Sequence, residues 1–244
     1  MIIRTALPVL LTLVAALHAS ADEPKVPQLV RQLAAKEVEA RWAAARELIG
    51  LGVEKAAPTF IQALGSKDAR VREVSAWSLG ELAPRPEPFS SKPIRPTPTT
   101  AKAITALQQA LDDKQVDVAE MAALCLGKYG ELAAPTLPAL MRALRHRAQG
   151  VRMATINALM QVGPHAVPPL TRALRSRDAA VRWAAAFTLG GLGHQAARAM
   201  PALKRLRADP DKKVAEAAAA SLSSIQASVK AQRRQPNHLG PKTR

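Results

Sequence analysis

The chain has 244 residues, 35 Lys and Arg against 19 Asp and Glu, a formal net charge of +16 and 48% apolar residues. That apolar share excludes a disordered polyelectrolyte, and one cysteine excludes an internal disulfide. With only three Trp, three Phe and one Tyr, a core of small aliphatic side chains packed at close range is expected.

Met1-Ile-Ile-Arg4 is a short basic start, Ala6 to Leu17 is an apolar run, and Ala19-Ser-Ala21 offers a small-x-small cleavage site before Asp22 and Glu23. This order is that of a secretory signal peptide over 1–21, cleaved after Ala21. The run is short for a membrane span. No cysteine follows the cleavage point and no twin arginine precedes the run, so ordinary export to a bacterial periplasm or the extracellular space is expected.

From residue 26 the chain repeats. Asp178 to Gly193 reads as one helix, capped by Asp178 and stopped by Gly190, Gly191 and Gly193 in the left-handed conformation. With Val181 as position 0, equivalent anchors are Ala40, Val71, Val118, Val151 and Val214. Position +8 is always leucine (Leu48, Leu79, Leu126, Leu159, Leu189, Leu222), and position +11 is always apolar (Leu51, Leu82, Tyr129, Val162, Leu192, Ile225). Position +4 is always small (Ala44, Ser75, Ala122, Thr155, Ala185, Ala218). Position −7 is Leu33, Leu64, Leu111, Leu144 and Leu174; in the last copy it is Arg207 beside Leu206, which reads as a slip of register. These earlier leucines belong to a first helix in each unit, with Pro27, Pro58, Pro135, Pro168 and Pro201 near the starts.

One such helix cannot bury its apolar face alone, so the expected fold is all-α, an α-solenoid of about six stacked helix-turn-helix units over 22–226, wound into a right-handed superhelix. Anchors lie 30 to 33 residues apart except for Val71 and Val118, which are 47 apart. The excess is a proline-rich segment, 84–100, read as an extended loop. Residues 227–244 are basic, lack apolar periodicity and read as a disordered tail. The motif Val-Arg-x-x-Ala-Ala-x-x-Leu-Gly-x-Leu-Gly, with Asp178 three residues before its valine, resembles the short HEAT-like repeats of phycobilisome bilin lyases. The likeness covers about 26–226 and implies HEAT-like repeats. Chromophore handling is a function it implies only as an alternative.

The charge is uneven. Residues 22–83 balance nine basic against nine acidic side chains, whereas 135–182 carry eight arginines against Asp178 alone. Arg142, Arg145, Arg147 and Arg152 recur as Arg172, Arg175, Arg177 and Arg182. At position +1, the resemblance implies pairing with the aspartate of a neighbouring turn, with Arg72–Asp68 and Arg182–Asp178 as candidates. Arg142, Arg145, Arg172 and Arg175 show no acidic partner and are the candidate anion-binding residues. Cys125, at +7, reads as a small core residue.

No histidine adjoins a glutamate, no cysteines pair, and neither a glycine-rich phosphate loop nor a nucleophile elbow is present. No catalytic residue, metal site or cofactor is therefore assigned, and an enzyme is not expected. On the second helices, positions +2 and +6 point about 200° and 240° from the anchor at 100° per residue, away from the core. Trp42, Met153 and Trp183 occupy +2; Trp77 and Phe187 occupy +6. They form the candidate partner-binding groove, on what would be the concave surface. The expected function is an exported, non-catalytic scaffold or adaptor. Its expected partner is a protein, including an acidic one. The alternatives are an anionic envelope polymer or lipid surface; export removes nucleic acid. N-terminal sequencing of the protein from its native envelope should begin at Asp22, and an intact Met1 on cytoplasmic protein would refute export.

Overall fold

A positive-φ glycine at position +12 turns the chain from one repeat into the next. Gly52, Gly130, Gly163 and Gly193 have φ of 87°, 55°, 74° and 57°, a backbone region that side-chain-bearing residues rarely occupy. Each follows a second helix and precedes the next first helix. The computed structural model describes residues 25–85 and 94–234. The predicted signal peptide, residues 86–93 of the proline-rich segment and 235–244 of the tail lie outside them.

Among the described residues there are twelve α-helices and no strand. They run as pairs: α1 (Val26–Gln32) with α2 (Val38–Gly50), α3 (Val53–Ala63) with α4 (Ala69–Glu81), and α5 (Pro98–Ala110) with α6 (Val116–Lys128). Then follow α7 (Leu137–Ala143) with α8 (Gln149–Val162), α9 (Val167–Ala173) with α10 (Ala179–Gly191), and α11 (Met200–Leu206) with α12 (Lys212–Arg234). Short 3-10 segments, Gly130–Thr136, Gly163–Ala166 and Gly193–Ala199, lead into α7, α9 and α11. The six expected pairs are all present. The chain divides into two compact units, Met1–Gln161 and Val162–Arg244.

Within each unit the repeating apolar positions form the core. Leu48, Leu79, Leu126, Leu159 and Leu189 are fully buried, as are Leu33 and Leu144 from the first helices. Ala40 and Leu51 are only half-buried, because the first repeat has a neighbour on one side alone. The small residues at +4 are buried throughout. Where they are polar they bond the preceding turn of their own helix: Ser75 Oγ donates to Val71 O at 2.6 Å and Thr155 Oγ1 to Val151 O at 2.7 Å. A buried hydroxyl satisfied in this way avoids the penalty of a lost hydrogen bond.

Close approach of the second helices is set by glycine at +9 against the residue at +7 of the next repeat. A Cβ built on Gly80 would stand 2.3 Å from Cys125 Sγ and 2.8 Å from its Cβ; one on Gly127 would stand 3.2 Å from Ala158 Cα. In the second unit, a Cβ on Gly190 would meet Ser221 Oγ at 2.6 Å. Gly190 therefore lies inside α10 as a packing glycine. Of the three glycines expected to stop this helix, Gly193 alone takes the left-handed conformation. Cys125 is the small core residue its position implied; burial pushes its thiol up to about 12, and attraction from Lys128 only partly opposes this.

Four expectations change in the structure. Helix α12 continues to Arg234, so 227–234 are helical rather than a disordered tail. The reason is local: Gln226 stands at +12, where four of the five preceding repeats have glycine, and the helix runs on. Its last turns cover the preceding 3-10 segment, with His194 N–H donating to Ser228 Oγ at 3.0 Å. Helix α5 starts at Pro98, with Thr97 Oγ1 accepting from Thr100 N–H at 3.1 Å, so the proline-rich segment ends before residue 100. Pro58 lies within α3 rather than at its start, where its missing N–H leaves only the Glu54 carbonyl of the first turn unpaired in the helix ladder. Finally, α11 matches α9 residue for residue, so the last repeat keeps its register. Arg207 takes the leucine place and is exposed, while Leu206 is 8% exposed where α9 has Ala173.

Gly80→Ala should destabilise the first unit by about 1–3 kcal/mol, the usual cost of forcing an extra methyl into a packed contact. The double variant with Cys125→Gly should recover part of the loss in a thermal melt, because it removes both contacts below 3.0 Å.

Candidate binding surfaces

The arginines separate into three groups. Those at +1 are structural. Arg72 makes a two-point contact with Asp113, Nε to Oδ2 at 2.6 Å and Nη2 to Oδ1 at 2.9 Å, and its Nη1 donates to Ser66 O at 2.9 Å. Arg182 repeats this on Asp209 at 2.7 and 2.8 Å, with Ser176 O at 2.9 Å. These acids belong to the following repeat, not to the helix start three residues before the anchor. Asp68 and Asp178 instead cap their own helices, accepting from Arg70 N–H and Ala180 N–H at 2.9 Å. Each long pair thus ties the turn of one repeat to the turn of the next. Arg41 and Arg152 reach only carbonyl oxygens, Ala35 and Lys36 for one, His146 and Arg147 for the other. The reason is visible in sequence: the residues matching Asp113 and Asp209 in the following repeats are Ser66 and Ser176.

The second group is exposed and lies in the first unit. Arg142, expected to be free, stands 3.4 Å from Asp112, with both side chains more than half exposed. Such a pair contributes little. Arg145 is exposed and has no carboxylate partner among the described residues.

The third group lies in the second unit. Arg172 and Arg175 line a cleft of about 490 Å³ between α9 and α11, together with Arg205, Leu174, Leu206 and Asp209. Arg205 matches Arg172 one repeat later, 33 residues on. Sequence reading passed over it because the apparent slip at Arg207 disturbed the alignment of these two helices.

The aromatic residues at +2 and +6 are half-buried or exposed. Trp42 and Trp77 meet edge to face with ring centroids 4.8 Å apart, joining α2 to α4 in the first unit. Trp183 and Phe187 stack within α10 at 5.2 Å and 12° in the second, and Phe187 is 43% exposed. Met153 is half-buried on α8. Leu124, at +6 of α6, is 40% exposed and belongs to the same set, although an aliphatic side chain does not stand out in a leucine-rich sequence as a tryptophan does. Carboxylates share these positions in the first unit. Burial and the neighbouring Asp117 push the Glu73 carboxyl above its usual value, against the pull of Arg41. Glu120 occupies the space over Gly150, where a Cβ would come within 2.0 Å of its Oε2.

Among the described residues no group of three or more His, Cys, Asp or Glu side chains is placed to hold a metal ion, and no helix is long and apolar enough to cross a membrane.

The long ion pairs make stability depend on acid. Hydrogen bonds from Arg182 hold the Asp209 carboxyl below its ordinary value, against the effect of burial. For Asp113, burial acts upward, but the bonds from Arg72 and Gln115 N–H outweigh it. A lowered folded-state pKa gives stability that is complete above the unfolded value and is lost as pH falls through the folded one. Melting temperature should therefore fall below about pH 4. Asp209→Asn should cost about 1–3 kcal/mol at neutral pH, since it leaves the half-buried Arg182 without its counter-charge, and should flatten the acid dependence.

A family model for HEAT repeats matches residues 26–91, 104–176 and 167–233. No curated protein matches the chain. Among solved structures, the chain resembles an archaeal HEAT-like repeats protein from Thermococcus onnurineus NA1, at 14% identity and a TM-score of 0.55, over 83% of this chain and 81% of that one. A designed armadillo repeat protein aligns at 16% identity and a TM-score of 0.46, over 82% of this chain and all of that one.

Proposed function

Because the chain belongs to the HEAT repeat family, we propose that it is an exported, non-catalytic scaffold that binds a protein partner through the +2 and +6 face of its second helices. One observation carries this reading: two large apolar side chains, Leu124 and Phe187, stay exposed on the side of these helices that does not build the core. Such residues dominate binding energy when a partner covers them. The tryptophans serve two ends. The Trp42–Trp77 contact joins neighbouring repeats, and an edge-to-face pair of this kind stabilises by about 0.5–1.5 kcal/mol. Their half-exposed surfaces then extend the apolar strip that Leu124 continues in the first unit. Trp183 and Phe187 supply a second aromatic contact in the other. Export rests on the basic start, the apolar run and Ala19-Ser-Ala21.

The test separates binding from folding. Affinity capture of the exported chain from the envelope fraction, followed by mass spectrometry, identifies what is held. Leu124→Ala should change stability by no more than about 0.5 kcal/mol, as exposed sites do, and Phe187→Ala by about 1 kcal/mol through its lost stack on Trp183, yet each should abolish that capture. Trp77→Ala should cost about 1 kcal/mol from the lost ring pair and also weaken capture. A loss of about 3–5 kcal/mol at Phe187, as for a core aromatic, or unchanged capture in all three variants, would refute the surface.

A further inference from the structure

The cleft between α9 and α11 gathers charge that no carboxylate among the described residues neutralises. Arg172 and Arg205 occupy equivalent places in the last turns of the two first helices, and Arg175 stands two residues past the end of α9. All three are exposed, and none has a carboxylate partner among the described residues. The acid in the lining, Asp209, has both oxygens on Arg182 at 2.7 and 2.8 Å, so its charge is already committed. The partial negative charge of two helix C-termini eases the assembly of cations here. Between them the cleft is apolar, with Leu174 and Leu206 4% and 8% exposed and the small Ala202 and Ala208 leaving room.

We propose that this cleft binds a phosphate- or sulfate-bearing sugar chain. Guanidinium groups grip oxyanions at two points, which an ammonium group does not do, and every cation in the lining is an arginine. A recess of about 490 Å³ with an apolar floor suits the hydrophobic face of a sugar ring between two charged substituents. A flat anionic lipid surface would contact the rim of such a recess and leave its floor empty. The site is independent of the aromatic strip: it is built from the first helices, whereas the strip lies on the second.

The experiment is calorimetric titration of the full chain with a heparin octasaccharide, a defined sulfated sugar chain, at roughly 0.15 M salt, where the Debye length is about 8 Å. The triple variant Arg172→Gln, Arg175→Gln, Arg205→Gln should weaken binding at least about tenfold, equivalent to about 1.4 kcal/mol. A control that removes the same charge from exposed arginines elsewhere, Arg46→Gln, Arg147→Gln, Arg198→Gln, should weaken it no more than about twofold, as screened distant charges do. Replacing the three cleft arginines by lysine keeps the charge and the fold but removes the two-point grip, so an intermediate loss is expected. Equal losses in the cleft and control triples would overturn the proposal in favour of diffuse attraction. Binding to phosphatidylglycerol vesicles with none to the octasaccharide would overturn it in favour of a membrane. Absence of binding to both would also overturn it.

Discussion

The distance between successive second helices is the constraint on which the structure depends. At Gly80, Gly127 and Gly190 a single added carbon would lie 2.3 to 3.2 Å from the next repeat, closer than side-chain carbons normally approach. Backbones this near leave no space for large residues between them, which explains the small residues at +4, the buried thiol of Cys125 and the serine of α12 opposite Gly190. Close packing of this kind draws on many weak dispersion contacts. It also lets Ser221 Oγ reach Ala186 O at 2.8 Å and Ser224 Oγ reach Gly190 O at 3.0 Å across the same seam.

A second set of ties holds the other edge of each repeat. Arg72–Asp113 and Arg182–Asp209 bridge consecutive turns, and each arginine also closes its own turn through backbone carbonyls. With side chains 5% to 13% exposed, these pairs lie beyond much screening, and their value depends on both partners being present. In the second unit the same turns follow the helices that carry Arg172 and Arg205, and Arg175 lies in one of them. In the second unit, one aspartate therefore serves the fold while the arginines around it stay available.

The proposed binding surfaces fall where the repeat pattern imposes nothing. Positions 0, +4, +8 and +11 are committed to the core, and +7 and +9 to the seam. Positions +2 and +6 are free to vary, and the chain places tryptophan, methionine, leucine, phenylalanine and two glutamates there. On the first helices, the arginines flank the buried leucines without entering the core. A HEAT-repeat scaffold can carry two chemically different faces in this way, one apolar and one cationic, because its two helix layers expose separate sides.

The sequence by itself determined the helix pairs, their number, the buried leucines and the faces on which Trp42, Trp77, Met153, Trp183 and Phe187 lie, because each follows from a period of about 3.6 residues and a repeat near thirty. It misjudged what depends on a neighbour in space. That Arg72 and Arg182 cross to the next repeat, that Gly190 packs while Gly193 turns, and that Arg142 finds Asp112 are relations between segments 27 to 41 residues apart or between helices side by side. The end of the array was half legible. Gln226 lacks the glycine that turns a repeat, yet only the packed structure gives the continued helix a surface to cover. The cleft at Arg172, Arg175 and Arg205 belongs to the same class, since a recess exists only once two helices have been set beside each other.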